Sequence, residues 1–269
     1  MIDFKIGQLQ ITNNETKYKL EGITGINGFE KNLNLLDLAG QDGSEYGSSK
    51  IPSREIVATI SPVGNIEQNR LDLVSAVKSS NIIPLYFKTD TRDCFIWAKS
   101  KNFDADSFSE RQAGQIAFTC ADPFFRNTES EEVLINPTTV GSTVLNNGDI
   151  PVDFSANVTL NQVTEDITQI ALERKLDDSL EQIVIKYADG FESGDQILIE
   201  NTRDEKSVSF YRDGVKRNIT SAIDWTVTKW FKLGTGSNKI RYKINGVYDY
   251  SGNFSISCNL LFQERYVSI

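Results

Sequence analysis

Residues 207–219 read SVSFYRDGVKRNI, and this stretch decides the fold of the second half of the chain. The pair Asp213-Gly214 stands between two runs that both contain alternating residues. A two-residue type I′ turn needs positive φ angles at both positions, which Asp and Gly adopt readily. The stretch therefore predicts a β-hairpin whose register places Val208 opposite Ile219 on an inward, apolar face.

A second hairpin signal follows in residues 238–247, NKIRYKINGV, where Asn245-Gly246 supplies the turn. The strand before this turn has Ile240, Tyr242 and Ile244 on one face and Lys239, Arg241 and Lys243 on the other. Short strands with turn signals about every 8 to 12 residues predict an antiparallel β-sandwich. Residues 167–178, ITQIALERKLDD, also fit a helical period, but their context favours a strand.

The composition changes near residue 130, which indicates a domain boundary. An acidic cluster at Glu129, Glu131 and Glu132 is followed by Pro137 and by the turn-forming residues 146–149, NNGD. Such polar, Pro- and Gly-containing stretches commonly separate domains. We predict two domains, residues 1–135 and residues 136–269.

The first domain has strand patterns and one helical pattern. REIVATI at 54–60 alternates in the manner of a strand, whereas residues 65–79 have apolar residues at spacings of three and four. The pattern predicts one amphipathic helix that covers a sheet. The buried face should comprise Ile66, Arg70, Leu71, Val74 and Val77. The predicted fold class is therefore all-β, mainly antiparallel, with one helix in the N-terminal domain.

A long polar stretch, LAGQDGSEYGSSKIPSRE at 38–55, separates these elements. It lacks the GxxxxGK[ST] spacing of a phosphate-binding loop, so a nucleotide site is not indicated. We interpret the stretch as a connecting loop that becomes ordered against another subunit.

The composition excludes several kinds of chemistry. The chain has 269 residues and no histidine, which excludes Ser-His-Asp and Cys-His catalysis and every His-ligated metal site. Its 28 basic and 37 acidic residues give a net charge of -9. An acidic chain without a basic half is not expected to bind a nucleic-acid backbone, because affinity for the phosphates depends on cationic side chains. We predict no cofactor and no metal.

Cysteine usage and hydropathy indicate where the chain is made. No apolar run approaches the length of a membrane span, and the N-terminal MIDFKIGQLQ does not resemble a signal peptide. Cys94, Cys120 and Cys258 are an odd number without CxxC spacing, and each lies in an alternating apolar pattern. We expect three buried thiols, a reducing compartment and no membrane insertion.

Pairs of carboxylates are the catalytic groups that this composition still allows. A glycosidase needs only two acids about 5 to 10 Å apart, one of them with a raised pKa. Pairs such as Asp195 with Glu200, or Asp153 with Asp224, satisfy the residue types. With 37 acids in the chain, no single pair is favoured, and we predict that the protein is not an enzyme.

Aromatic and cationic residues of the second domain are candidates for contact with a carbohydrate or a protein partner. Flat rings stack on sugar C–H faces, and the candidate rings are Trp225, Trp230, Tyr242, Tyr248 and Tyr250. The alternative is that WTVTKWFKLG at 225–234 is a core strand, which would bury at least one tryptophan. The cationic face of Lys239, Arg241 and Lys243 either is solvated, guards a sheet edge or docks an acidic partner.

Several short motifs follow one another along nearly the whole chain. In the first half they are Asp42-Gly43, Arg54 before the strand REIVATI, Arg70 in the helix, and Ala121-Asp122-Pro123-Phe124-Phe125. In the second half they are NNGDIPVDF at 146–154, Gly194-Asp195, Asp213-Gly214, Trp230-Phe231-Lys232-Leu233 and Gly236-Ser237-Asn238-Lys239-Ile240. Their order and spacing resemble those of the distal tail proteins, abbreviated Dit, of long-tailed, non-contractile bacteriophages and related prophages.

The resemblance implies an architecture and a role. It implies an N-terminal β domain with one helix whose copies close into a hexameric ring, and a C-terminal sandwich similar to galectins or carbohydrate-binding modules. Such a ring is a baseplate hub at the virion tail tip, assembled in the host cytoplasm, with a channel through which DNA passes without specific binding. The implied partners are further copies of the chain, the tail tube protein, tail-tip or receptor-binding proteins and, as an alternative, a cell-surface polysaccharide.

Two other functions stay open at this point. The first is a free-standing, lectin-like carbohydrate-binding protein, in which the tryptophans of the second domain would contact sugar. The second is a carboxylate-based polysaccharide hydrolase, which would turn over a cell-wall polymer.

Overall fold

The computed structural model describes residues 2–13, 16–40, 42–78, 80–105, 113–176, 179–248 and 254–269. The chain divides into two compact units. Unit 1 comprises Met1–Thr128 and Tyr266–Ile269, and unit 2 comprises Glu129–Arg265. Within the described residues, no helix has the length and apolar character that a membrane crossing requires.

Unit 1 is built from short strands and one helix. Its elements, in chain order, are β1 (Asp3–Ile6), β2 (Leu9–Gln10), β3 (Tyr18–Thr24), β4 (Asn32–Asp37), β5 (Ser44–Lys50), β6 (Arg54–Pro62), α1 (Ile66–Val77), β7 (Ile83–Lys88), β8 (Asp93–Ala105), β9 (Gly114–Cys120) and β10 (Phe125–Asn127). The large sheet has the antiparallel order β2-β1-β7-β8-β9-β6-β3, and β10 pairs with β8.

The core of unit 1 lies on one face of this sheet. Phe4 stacks on Phe87 with ring centroids 5.0 Å apart, and Phe125 meets Phe87 edge-on at 5.6 Å. All three rings are buried. Burying a large apolar side chain contributes about 1.5–3 kcal/mol, so this aromatic group is a major part of the stability of unit 1.

The helix is where the sequence predicted it, but its buried face is different. Asn65 caps α1, because its Oδ1 accepts a hydrogen bond from the Gln68 amide at 3.4 Å. The buried residues are Asn69, Leu73 and Val77, whereas Ile66 and Leu71 are exposed. The predicted face was therefore wrong at Ile66 and Leu71 and right at Val77, whereas Arg70 and Val74 are half-buried. The last residue of the predicted range, 79, lies outside the described residues.

The long polar stretch at 38–55 is not simply a loop. Its residues 44–50 form β5, which pairs with β4 in a separate two-stranded sheet. Leu35 lies opposite Tyr46, and Leu36 lies opposite Glu45. We call β4, β5 and their connection the hairpin arm. The interpretation of this stretch as a connecting loop was wrong for residues 44–50, because they form a strand.

Unit 2 is an antiparallel β-sandwich, as predicted. Its elements are β11 (Glu131–Ile135), β12 (Ser142–Asn146), β13 (Phe154–Val163), β14 (Ile167–Lys175), β15 (Leu180–Phe191), β16 (Gln196–Asn201), β17 (Lys206–Arg212), β18 (Val215–Asn218), a 3-10 turn (Thr220–Ala222), β19 (Gly236–Ile244) and β20 (Phe254–Phe262). The last strand, β21 (Arg265–Tyr266), pairs with β10 as the chain returns to unit 1. One sheet has the order β11-β20-β13-β16-β17-β18 and the other the order β12-β19-β14-β15. Their inner faces enclose one apolar core.

Both predicted turns are confirmed. Asp213 and Gly214 have φ angles of 52° and 75°, and Asn245 and Gly246 have φ angles of 47° and 81°. These positive values are those of a type I′ turn, which favours Asn or Asp followed by Gly. The Ile219 amide donates to the Val208 carbonyl at 2.8 Å and both side chains are buried, so the predicted hairpin register is also confirmed.

The division between the units differs from the predicted boundary after residue 135. Strand β11 pairs with β20, so residues 131–135 belong to unit 2. The last four residues return to unit 1, where Arg54 Nη2 donates to the Val267 carbonyl at 2.5 Å. The Arg92 guanidinium also lies 4.4 Å from the centre of the Tyr266 ring.

Candidate functional site

The three rings of the candidate carbohydrate site differ widely in exposure. Trp225 is 58% exposed, whereas Tyr242 is 1% exposed and donates its hydroxyl to the Ile256 carbonyl at 3.2 Å within the core. Trp230 is half-buried, and the Lys206 ammonium lies 5.2 Å from the centre of its ring. Only Trp225, among these three, presents most of its surface to solvent. Tyr250 lies outside the described residues.

The segment that contains both tryptophans is not a regular strand. A turn covers residues 225–227, and one bridge joins Leu233 to Val152. The Asp224 carboxylate accepts hydrogen bonds from the Thr226 amide at 3.1 Å and from the Thr226 hydroxyl at 2.6 Å. An Asp side chain that bonds the following backbone in this way competes with a strand ladder. The alternative of a core strand at 225–234 was therefore wrong.

The predicted cationic face holds a buried acid. Glu173 lies on β14 opposite Arg241 of β19 and is fully buried. Arg241 Nε donates to Glu173 Oε2 at 2.8 Å, the Lys243 ammonium lies 2.5 Å from Oε1, and the Tyr248 hydroxyl bonds Oε2. Lys239 stays exposed and donates to the Thr143 hydroxyl at 2.5 Å. Arg241 and Lys243 thus serve an internal ion cluster, and Lys239 is the exposed cation of the three.

The partners of Glu173 explain why its buried carboxylate is ionised. Burial alone would raise the pKa of Glu173, but hydrogen bonds from Lys243 and Tyr248, with the charge of Lys243, lower the pKa below its ordinary value. Burial and the bond to Glu173 raise the pKa of Tyr248 to about 12. The guanidinium of Arg241 lies 4.5 Å from the centre of the Tyr248 ring, which covers the cluster. The arrangement holds an ionised carboxylate and a neutral phenol together.

Three of the four acids named as catalytic candidates, Asp195, Asp153 and Asp224, form ion pairs within unit 2. Asp195 is buried and accepts from Arg212 Nε at 2.9 Å and from Arg212 Nη2 at 2.7 Å. Asp153 pairs with Lys232 at 3.0 Å, and Asp224 pairs with Lys186 at 2.7 Å. The bonds from Lys186 and Thr226 lower the pKa of Asp224 to about 2, which is opposite to what a general acid needs. Geometry therefore favours structural roles for these three acids.

The hairpin arm is a feature whose exposure the sequence analysis missed. Every residue of β4 and β5 is exposed, and Tyr46 is 81% exposed. Leu33, Leu35 and Leu36 on β4 are also exposed. A two-stranded hairpin is marginally stable at best without a third layer. Four leucines within residues 33–38 were the available signal, since such a run is unusual on a solvated surface.

An aromatic row on the large sheet of unit 1 was also missed. The ring of Phe95 lies 5.8 Å from Tyr86 and 5.5 Å from Trp97, edge-on to the latter. These three residues alternate with the buried Phe87, Cys94 and Ile96, so they lie on the sheet face away from the core. Trp97 is 43% exposed. We call Tyr86, Phe95 and Trp97 the aromatic row.

No protein-family model and no curated protein sequence match the chain. Solved structures do match it. The Dit protein of phage SPP1, described as a paradigm of the hub adsorption apparatus in phages that infect Gram-positive bacteria, is similar with a TM-score of 0.76 and 13% identity, over 98% of this chain and 99% of its own.

The baseplate of phage P2 also contains a similar chain. In its activated conformation with calcium the TM-score is 0.54 at 12% identity, and in the form with strontium it is 0.53 at 12% identity; in each case the whole of both chains is covered. The resemblance inferred from the order of motifs is thus confirmed at the level of the fold. The chain has the fold of the SPP1 Dit protein along nearly its whole length.

Proposed function

We propose that the chain is a structural hub protein of a phage tail tip and has no enzymatic role. Copies close into a hexameric ring through unit 1, and unit 2 presents docking surfaces for tail-tip or receptor-binding proteins. The ring joins the tail tube to this host-adhesion apparatus and leaves a channel for DNA. The observation that carries the proposal is the likeness to the SPP1 hub protein over 98% of the chain.

The exposed hairpin arm supports self-assembly. Exposed apolar surface on a folded unit commonly marks an interaction site. In a closed ring the same head-to-tail contact is repeated around the axis, so an interface of modest size yields a stable assembly. Unit 1 has such a surface in the leucines and Tyr46 of the arm.

The charge of the chain supports a conduit that does not retain DNA. Cationic side chains bind the phosphate backbone by displacing counterions. With a net charge of -9, the chain repels a polyanion overall. Since charges are screened over about 8 Å at physiological salt, this repulsion acts only close to the channel wall.

The experiment that tests the proposal is electron microscopy of the full chain, alone and mixed with the tail tube protein of the same phage. We expect six-fold rings with a central opening, and rings stacked on the ends of tubes in the mixture. Single particles of one chain in both samples would contradict the proposal.

One observation favours a second activity for unit 2, which is contact with a cell-surface polysaccharide at Trp225. Its ring is exposed, as a sugar-stacking ring must be. Titration of host cell-wall polysaccharide into the full chain, followed by calorimetry, tests this contact. Binding should be lost in Trp225→Ala and kept in Tyr242→Phe, which removes only a core hydroxyl. Equal binding by both variants would exclude this site.

A further inference from the structure

The six-stranded sheet of unit 2 has two free edges that run in opposite directions. Its strand order is β11-β20-β13-β16-β17-β18, and every neighbouring pair is antiparallel. Among the described residues, β11 pairs only with β20, and β18 pairs only with β17. A free edge presents backbone N–H and C=O groups that can pair with a further strand. If β11 of a second copy lay beside β18 in the same sheet orientation, the two strands would be antiparallel.

The two edges carry opposite charges. All residues of β18 are exposed, and they include Lys216 and Arg217. Strand β11 begins with Glu131 and Glu132, which are also exposed. None of these four side chains forms an ion pair within the part of the chain that the structure describes. Such charges prevent two like edges from pairing, whereas they favour the pairing of β11 with β18.

The cations of β18 lie on opposite faces of the sheet. Arg217 lies opposite the buried Phe210, with its guanidinium 5.8 Å from the centre of that ring, so it is on the inner face. Lys216 lies opposite Tyr211 and is therefore on the outer face.

The acids of β11 are divided between the faces in the same way. Val133 and Ile135 pack in the core of the sandwich. Since side chains alternate along a strand, Glu131 is on the inner face and Glu132 is on the outer face. Each edge thus has one charged side chain on each face.

The backbone groups of the two edges are also complementary. The Ile219 amide donates to the Val208 carbonyl of β17, so the amide and carbonyl of Lys216 point to the free edge. On β13 the Leu160 amide donates to the turn before β16 at 2.9 Å. The alternation of hydrogen-bonded pairs from β13 through β20 to β11 leaves the amide and carbonyl of Glu132 at the other free edge.

One register between the two edges satisfies the faces, the charges and the backbone groups together. A shift by two residues in either direction keeps the faces but leaves at most one pair of unlike charges. The pairs in the favoured register are Lys216 with Glu132, Arg217 with Glu131 and Val215 with Val133.

We propose that strand β11 of one copy of this chain adds to strand β18 of a second copy, so that the six-stranded sheet continues from one copy to the next. The contact is head-to-tail, because each copy offers β11 on one side and β18 on the other. The inference rests on the proposed assembly of copies. A contact of about four residue pairs is short, and it is strengthened when other contacts hold the copies close together.

Disulfide formation between two populations of full-length chains tests the contact. One population carries Val215→Cys and the other carries Val133→Cys, so all four charged side chains are kept. Residues in this type of pair have Cα atoms about 4.5 Å apart, which a disulfide can span. The populations are mixed under conditions in which copies assemble and are mildly oxidised, and the linked peptides are identified by mass spectrometry. The three native cysteines give little background, because all are buried and burial raises the pKa of each thiol to about 12.

The matched control replaces Val215→Cys with Val247→Cys, because Val247 is equally exposed and also lies in unit 2. We expect a disulfide between the Val215→Cys and Val133→Cys chains and none between the Val247→Cys and Val133→Cys chains. Rings that form without the expected disulfide, or with equal linkage in the control, overturn the edge contact and leave the hub proposal intact. A disulfide in particles that are not rings would support the edge contact and contradict the ring. Failure to assemble, alone and with the tail tube protein, overturns both.

Charge reversal gives a second readout of the same contact. Lys216→Glu with Arg217→Glu, added to the Val215→Cys population, should lower the yield of the disulfide by about tenfold, because like charges then lie opposite each other. Glu131→Lys with Glu132→Lys in the Val133→Cys population should restore the yield. An unchanged yield after the first reversal, or no recovery after the second, would overturn the proposed register.

Discussion

Asp195 is a buried carboxylate of unit 2 that Arg212 and one backbone amide hold by hydrogen bonds. It is 1% exposed, and the Glu192 amide adds a hydrogen bond at 2.8 Å to those from Arg212. The bond to Asp195 holds the pKa of Arg212 above its ordinary value. A buried carboxylate tolerates ionisation only while such partners remain.

Removing the Arg212 guanidinium should destabilise unit 2 strongly. Arg212→Met keeps the aliphatic stem but leaves Asp195 buried and uncompensated, which costs about 3–5 kcal/mol in the free energy of unfolding. Urea unfolding of the full chain measures this loss. Lys19→Met is the control, because the exposed Lys19–Glu21 pair is worth at most about 1 kcal/mol. Similar losses in the two variants would contradict the role assigned to Arg212.

Glu173 should make stability depend on pH in the acid range. Its pKa is lower in the folded chain than its ordinary 4.5, so its stabilising contribution is present above about pH 4.5 and disappears as pH falls through the folded value. Glu173→Gln should lose on the order of 3 kcal/mol near pH 7. Urea unfolding at several pH values should show this difference shrinking as the pH falls below about 4.5 and closing below the folded pKa of Glu173. Asp224 also has a lowered pKa, but it is present in both wild type and Glu173→Gln. Its contribution to the pH dependence therefore cancels in the difference between the two.

The opposite pH trend would show that Glu173 is not ionised in the folded state. A difference between Glu173→Gln and wild type that grows as the pH falls would contradict the ion cluster with Arg241, Lys243 and Tyr248.

Alternation along β19 was enough to place Lys239, Arg241 and Lys243 on one face, and the same alternation places Tyr242 on the other, in the core. Alternation could not show that Glu173 lies beside Arg241, because the pairing of β14 with β19 joins residues that are 68 positions apart in the sequence. The sequence was enough to name Trp225 and Trp230 as candidate binding rings. Their exposure depends on the turn that follows Asp224, and apolar periodicity does not predict that turn.

At the scale of elements, Asn69 explains why the helix has an unexpected buried face. The Asn69 amide donates to the Val63 carbonyl at 2.6 Å and to the Lys17 carbonyl at 3.3 Å. These bonds rotate α1 so that Asn69, Leu73 and Val77 face the sheet. Apolar spacing alone could not indicate this, because the residue that fixes the rotation is polar.

Asn69→Leu should therefore destabilise unit 1 although it makes the helix more apolar. The carbonyls of Lys17 and Val63 would lose a donor, which costs about 1–3 kcal/mol when the groups are buried. Thermal unfolding of the full chain measures the effect. Gln68→Leu, on the exposed side of α1, should change stability by less than about 0.5 kcal/mol. An Asn69→Leu variant as stable as Gln68→Leu would contradict the assignment.

Turn chemistry and hydrophobic alternation predicted the hairpins of unit 2 because those strands are half-buried. Strand β5 in the hairpin arm was not predicted, because it is not half-buried. Its residues are all exposed in the single chain, so no alternation of apolar and polar residues marks it.

At the scale of the whole molecule, the chain passes between its two units twice, at residues 128–129 and 265–266. Composition predicted the first passage after residue 135, whereas the division falls after Thr128. It could not predict the second, because the contacts of Val267 with Arg54 and of Ser268 with Arg92 join residues 213 and 176 positions apart. Contacts of such long range depend on the completed fold.

We propose that the chain works by assembling around an axis, and the mass of the particle in solution is a direct test of this assembly. Sedimentation velocity of the full chain, alone and with its tail tube protein over a range of concentrations, measures that mass. We expect a particle of six chains, each of 30.2 kDa. A single-chain mass at every concentration and in the mixture would contradict it.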